Sequence, residues 1–459
     1  MKNGIVRAGG WVKDNWANLL TGVIILVMVQ FRITFYGDMK LSIATNDTSS
    51  YYLQANIPLF SWEAFTSRRL PTYPVFFNLF EPKNGYHEPA AISYPAAPEV
   101  GTKNKAYQPE YFKIVLVQAV LAIFAWITLT LVICRYLKTK ALRPVAAAAI
   151  LIFAFSPSLA EWDSILMTES LSFSLFALLA ATTLELLYRV SREKNHAGIL
   201  TRVLFVVWAL LLPMWAFTRD SNSNTLIIIL VFLLAFLIIP IIRRNLPVWW
   251  IVGLTVWVGF LAYWYSITTF AANRWAWGWF DIYNDWVNNF PEREQYFQQV
   301  WGMPIPWTNE WVQKTGSKAY LSFLFNNPGF MVTEFMGRLS DAFSENLQPY
   351  FFTGSSVIRK LVLEVGDIFH PMSSVSFFFP LFCGLLITIT SIRNSIKENK
   401  AWLIFSLWLM AMIYGLYTAA FFGDSAGLIR HTLGAVVFMR LMVWLFPLIL
   451  AEIVCQKKE

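Results

Sequence analysis

Apolar residues in this chain come in long, nearly uninterrupted runs set apart by short charged stretches. A helix that crosses hydrocarbon needs about 20 such residues, because no unpaired backbone group survives in lipid. Runs of this kind lie near 17–36, 113–135, 144–160, 170–188, 203–218, 225–242, 247–270, 373–392, 401–421 and 432–454. The third and fifth are short. The pattern predicts an all-α polytopic membrane protein of about ten transmembrane helices, with two large extracytoplasmic loops carrying short interfacial helices. No small-residue cleavage site follows the first run, which therefore reads as a retained span.

The basic residues orient these spans. Lys2, Arg7 and Lys13 precede the first; Arg135, Lys138, Lys140 and Arg143 lie between the second and third. Arg189, Arg192, Lys194 and Arg202 separate the fourth and fifth, and Arg243 and Arg244 the sixth and seventh. Arg393, Lys397 and Lys400 follow the eighth, and Lys457 and Lys458 end the chain. Every second connection is basic, which the positive-inside rule assigns to the cytosol, with both termini. Composition agrees: 57% of residues are hydrophobic and only 14% charged, too few for a soluble chain of this length. The net charge of +8 falls largely in those short loops, so it reflects topology and implies no nucleic-acid partner. Cys134, Cys383 and Cys455 are far apart and suggest neither a disulfide framework nor a metal cluster.

The remaining connections, roughly 37–112, 157–169, 219–224, 271–372 and 422–431, face the other side. Two are long and rich in Pro, Trp and Tyr, a composition that argues for packed structure rather than disorder. The first holds the sharpest constellation. Asp38 ends the first span, Asp47 opens Asp47-Thr48-Ser49-Ser50-Tyr51-Tyr52, and Arg68-Arg69-Leu70-Pro71-Thr72-Tyr73-Pro74 follows. A carboxylate at the bilayer surface can accept a proton, and an apolar lining would raise its basicity. The arginines offer planar forks for phosphate oxygens. A plainer reading has Asp47 capping a short helix and the arginines holding lipid headgroups. On residue chemistry alone the plainer reading is favoured.

The order of these residues resembles the GT-C superfamily of integral-membrane glycosyltransferases, especially bacterial members related to protein O-mannosyltransferases and the lipid A aminoarabinose transferase. There an acid in the first outer loop precedes a Tyr/Ala helix and a Pro-rich return. Here Asp47, Tyr51 and Ala55, then Arg69, Pro71 and Pro74, take those places. Further matches are Ser156-Pro157 with Glu161, Asp163 and Thr168-Glu169, then Thr218-Arg219-Asp220, and finally Asp424 with Arg430-His431. The likeness covers about residues 1–245 and the last thirty or so. Many relatives show two adjacent acids in the first loop, whereas Asn46 precedes Asp47 here, so Asp38 competes for the same role.

The resemblance implies inverting transfer of a sugar from a polyprenyl-phosphate-linked donor to an acceptor on the extracytoplasmic face of a bacterial inner membrane. Asp47 would be the general base, with Glu169, Asp163 and Asp38 as supporting acids. Arg430, Arg440, Arg219, Arg69 and His431 would hold the donor phosphate. Residues 1–270 would form the catalytic module, 271–372 an outer loop that sets the acceptor, and 373–459 the last spans. The partners are the lipid-linked donor, membrane lipids, and a glycan, lipid or protein acceptor that the sequence does not specify. Arg440 stands about nine residues into the last run, roughly 13 Å by helical rise, where a charge needs a partner. Glu169, Asp163 or the lipid phosphate would serve, in catalysis or in a plain inter-helix ion pair. His87, His196 and His370 are scattered, and no metal or nucleotide motif occurs, so no cofactor is evident while a divalent metal is left open. A surface-polysaccharide polymerase or ligase and a lipid-linked substrate flippase are the alternatives.

Overall fold

Lipid leaves an apolar run only the helix as a way to pair its own backbone, and the long runs fold accordingly. The computed structural model describes residues 2–34, 39–45, 47–59, 61–80, 106–107, 109–192, 198–238, 248–350, 357–394, 396–423 and 427–456. In chain order the helices that matter here begin with α1 (Lys2–Thr34), α2 (Thr48–Ala55), α3 (Thr72–Leu79), α4 (Phe112–Tyr136) and α5 (Leu142–Phe155). Next come α6 (Thr168–Arg192), α7 (Ile199–Ala216), α8 (Leu226–Ile238) and α9 (Val248–Ala271). The last are α10 (Val357–Phe369), α11 (Val375–Asn394), α12 (Ile396–Gly423) and α13 (Leu428–Cys455). Among the described residues nine helices are long and apolar enough to cross a membrane.

The third run makes a tenth only if a bend is allowed. Ser156 is extended (ψ 155°) ahead of Pro157, whose ring disfavours the helical conformation in the residue before it. The chain turns by 49° there and continues as Pro157–Ser164. Residues 157–169, expected as an outer connection, are buried throughout.

The centre of the bundle is α6, which packs on α4, α7, α12 and α13. Its span is 89% buried, against 22% for α1, which lies at the edge against α5. The basic connection between α4 and α5 meets both ends of the chain: Arg143 donates to Asn18 (2.8 Å), and the Lys138 and Thr139 amides donate to Glu452 (2.7 and 3.1 Å). At the opposite end of the bundle, strands β1 (Ile43–Ala44) and β2 (Ala106–Tyr107) pair antiparallel, and the Leu166 amide donates to Ile43 O (2.9 Å).

Between α9 and α11 the chain forms short helices, including Trp275–Ile282, Pro291–Trp301, Ser317–Asn326 and Pro328–Gly337. Their aromatic rings make the core of this cap: Trp279 meets Phe297 at 5.2 Å and Trp311 at 5.5 Å. Gly278 lets the cap sit on the end of α12, since a Cβ there would collide with the Gly423 carbonyl oxygen.

Arg440 is anchored by the segment between α9 and α11 rather than by an acid. It donates to the carbonyls of Phe343 (3.1 Å), Glu345 (3.0 Å) and Pro371 (3.2 Å), and neither Glu169 nor Asp163 is its partner. Arg440 is less isolated than its depth along the last run implied. The 28 residues of α13 span about 42 Å against a hydrocarbon core of about 30 Å, so part of the helix lies outside lipid.

Candidate active site

Asp47 immediately precedes α2, in the N-cap position, yet its side chain makes no capping hydrogen bond. The first turn is served by the backbone instead: the Thr48 amide donates to Thr45 O and the Ser50 amide to Asp47 O, both at 3.1 Å. Thr48 Oγ1 ties the helix start to Leu166 O (3.0 Å). The carboxylate is therefore free to turn away from the helix. It meets two arginines: Arg69 Nη2 donates to Oδ1 at 2.5 Å and Arg430 Nη2 donates to Oδ2. The plainer reading of Asp47 as a helix cap does not hold here.

Each arginine is held independently. The amide of Arg69 donates to Gln54 Oε1 (2.9 Å) and its carbonyl accepts from Gln54 Nε2 (2.6 Å). Its Nε donates to Ser50 Oγ (2.8 Å), and the guanidinium lies 4.8 Å from the Tyr51 ring centre. Tyr51 in turn packs edge-on against Tyr73, whose hydroxyl reaches Gln118 of α4 (2.7 Å). Arg430 lies in the first turn of α13, after Gly427, whose φ of 61° is the left-handed conformation glycine adopts readily. Its Nε lies 3.6 Å from Glu169 Oε1 in the first turn of α6. Arg219 completes the group: Nη1 is 3.3 Å from the same carboxylate oxygen, and Nη2 donates to the Arg430 carbonyl (3.2 Å).

Asp47, Tyr51, Arg69, Arg219 and Arg430 line one end of a cavity of about 920 Å³, together with Arg68 and His431. The cavity continues past Asp220 and Arg274, an ion pair at 3.2 Å, to Ile227, Ala262, Phe270 and Ala419. Ile227 and Phe270 are 63% and 65% exposed, so its apolar end opens on the outside of the bundle. A polar anion site joined to an open apolar groove suits an amphiphile with an anionic head.

No protein-family model and no curated protein sequence matches the chain. Two solved structures are similar to it. One is the archaeal oligosaccharyltransferase AglB from Archaeoglobus fulgidus in complex with an inhibitory peptide and a dolichol-phosphate, with 14% identity, 94% of this chain and 50% of that chain covered, and a TM-score of 0.43. The other is the Archaeoglobus fulgidus oligosaccharyltransferase tethered by a disulfide to an acceptor peptide containing the NVT sequon, at 15% identity, 95% and 50% coverage and a TM-score of 0.42. This chain spans about half the length of each.

Electrostatics at Asp47 differ from the sequence expectation. Burial pushes its carboxyl up, but the charges and hydrogen bonds of Arg430 and Arg69 outweigh that and hold it below the usual carboxylate range. An apolar lining does not set its basicity; two guanidiniums do. Of the other expected residues, Arg69, Arg219, Arg430, His431 and Glu169 are brought together with Asp47. Arg440 and Asp163 are not. Asp163 is buried against Arg32 of α1 (2.7 Å) and accepts from Ser170 (2.5 Å). Asp38 lies outside the described residues.

Three further residues went unrecognised in the sequence: Arg274 of the cavity, Tyr350, and Arg32, the partner of Asp163. Arg32 carried a usable signal, a charge inside an apolar run. Arg274 and Tyr350 carried none, because their places depend on the path of the segment between α9 and α11. Gln348 donates to Glu161 (2.9 Å), which also binds Arg359, and its Oε1 accepts from the Tyr350 amide (2.7 Å), which holds Tyr350 where it feels the charge of Arg430.

Proposed function

We propose that this protein transfers a sugar from a polyprenyl-phosphate-linked donor to an acceptor hydroxyl, with inversion at the anomeric carbon. One observation carries the reading. A carboxylate and the guanidiniums of Arg69 and Arg430 meet at the polar end of a cavity whose other end is apolar and open on the bundle surface. Such a cavity suits a donor whose tail lies in the bilayer while its phosphate sits among the arginines.

In this reading Asp47 takes the proton from the acceptor hydroxyl as its oxygen forms a bond to the anomeric carbon. The bond from that carbon to the phosphate oxygen breaks, and polyprenyl phosphate leaves with the electron pair. Arg430, Arg69 and Arg219 stabilise the charge that develops on it, with His431 beside them. Glu169 keeps Arg219 and Arg430 apart and aimed. Residues 1–270 and the start of α13 supply this machinery, and residues 271–372 are the part suited to choosing the acceptor. The site faces the extracytoplasmic side of a bacterial inner membrane, with both termini in the cytosol.

The test is transfer of labelled sugar by the purified protein from polyprenyl-phosphate sugars to a panel of glycan, lipid and peptide acceptors, with the anomeric configuration of the product determined. Inverted product supports the reading. Retained configuration, or no transfer from any lipid-phosphate sugar, contradicts it.

A further inference from the structure

A general base must present a basic lone pair to its substrate, whereas each carboxylate oxygen of Asp47 already accepts from a guanidinium, which draws on its basicity. We propose that the Asp47 carboxylate is an internal stand-in for the donor phosphate, and that phosphate binding between Arg69 and Arg430 displaces it and so releases it to act as base. This rests on the transferase reading and adds an order to it: donor first, then activation of the acceptor.

The geometry supports an exchange of anions. Oδ1 faces Arg69 and Oδ2 faces Arg430, which is how two non-bridging oxygens of a phosphate would bridge the same pair. A sugar–phosphate diester carries one negative charge, as the carboxylate does, so the charge balance of the arginine pair is kept. The arginines do not depend on Asp47 for their positions. Arg69 stays on Ser50, Tyr51 and Gln54, and Arg430 on Glu169. Arg430 Nε, 3.6 Å from Glu169 Oε1, makes no hydrogen bond among the described residues, so Glu169 holds this guanidinium by charge.

Asp47 is also the carboxylate best able to leave. Its side chain is 22% exposed on the cavity and caps nothing, so rotating it away costs α2 no hydrogen bond. Glu169, at 1%, is buried beneath the arginines and stays in place. Asp220 is the contrasting case. Its partner Arg274 is also held by Thr269 Oγ1 (2.6 Å) and the carbonyls of Phe65 and Ser67 (3.2 and 3.3 Å), an arrangement that fixes local structure. With the donor absent, both oxygens accept from arginines, and an acceptor hydroxyl meets a weakened base.

The experiment is calorimetric titration of the purified protein in detergent with farnesyl phosphate, with farnesol as the phosphate-free control. Removal of the internal competitor in Asp47→Asn should tighten farnesyl phosphate binding by about tenfold or more, the scale of coupling between close charges. Asp47→Ala should do the same and serves if the Asn variant does not fold. Asp220→Asn, which removes a cavity charge outside the Arg69–Arg430 pair, should tighten binding far less, and farnesol binding should not respond to either change. Unchanged or weaker binding in the Asp47 variants overturns the proposal. Equal tightening in Asp220→Asn overturns it too, since general charge repulsion would then suffice. The transferase reading fails separately: tighter binding in Asp47→Asn with no sugar transfer by the wild type would leave the exchange standing and remove the reaction.

Discussion

Replacing Arg440 with Ala should destabilise the protein without weakening its hold on phosphate. The guanidinium is 1% exposed and its hydrogen bonds go to three backbone carbonyls. Hydrogen bonds to a charged group are worth about 1.5–3 kcal/mol each when buried. Only the bond to Phe343 O is fully buried; those to Glu345 O and Pro371 O are partly so, and water can replace about half their value. The loss is then about 3–6 kcal/mol. It would be felt where residues 343–345 and 371, between α9 and α11, are tied to α13. Lys should recover only part, since one ammonium cannot span three carbonyls as the planar fork does. The assay pairs thermal unfolding in detergent with farnesyl phosphate binding per mole of folded protein. An Ala variant that unfolds like the wild type but binds phosphate poorly would refute this account and place Arg440 in the donor site.

His370 should make the protein sensitive to mild acid. It is buried against Phe153 at 4.1 Å with Nε2 2.8 Å from the Phe153 carbonyl, and burial pushes its pKa down to about 3. The unfolded chain takes up that proton near pH 6.5, so stability present above that pH is lost as pH falls from about 6.5 toward 3. His370→Gln should flatten the decline in unfolding midpoint over that window, and an unchanged slope would exonerate the histidine. The Asp47 pairs behave in the same sense at lower pH. Their contribution should persist at neutral pH and disappear as pH falls through the depressed Asp47 pKa, a loss that Asp47→Asn removes. Cysteine labelling in intact cells should find residues 138–143 on the side opposite 300–320, and labelling of both from outside would contradict the membrane orientation.

The spans were legible because lipid forces long apolar runs into helices, and nine of the ten expected runs appear as continuous or nearly continuous helices. The exception turns on one dipeptide, Ser156-Pro157, whose hydropathy gave no warning that the chain bends and buries Glu161 and Asp163. At the site, the sequence reading named Asp47, Arg69, Arg219, Arg430 and Glu169 without saying which would touch. Asp47 and Arg430 are 383 residues apart, and no local pattern encodes such a pairing. Arg440 shows the opposite limit. Depth along a helix signalled that a partner was needed, but backbone carbonyls from a distant segment carry no trace in residue type.

The central claim is that Asp47 performs chemistry, and turnover by Asp47→Asn tests it most directly. Asn keeps the shape of the side chain and cannot accept a proton at neutral pH. Transfer of labelled sugar from a polyprenyl-phosphate donor, measured at saturating donor on folded protein, should fall by about 10²–10⁴-fold. Asp220→Asn, in the same cavity, should keep most of its turnover. Near-normal transfer by the Asp47→Asn protein would contradict the account and reduce Asp47 to a partner that merely positions its two arginines.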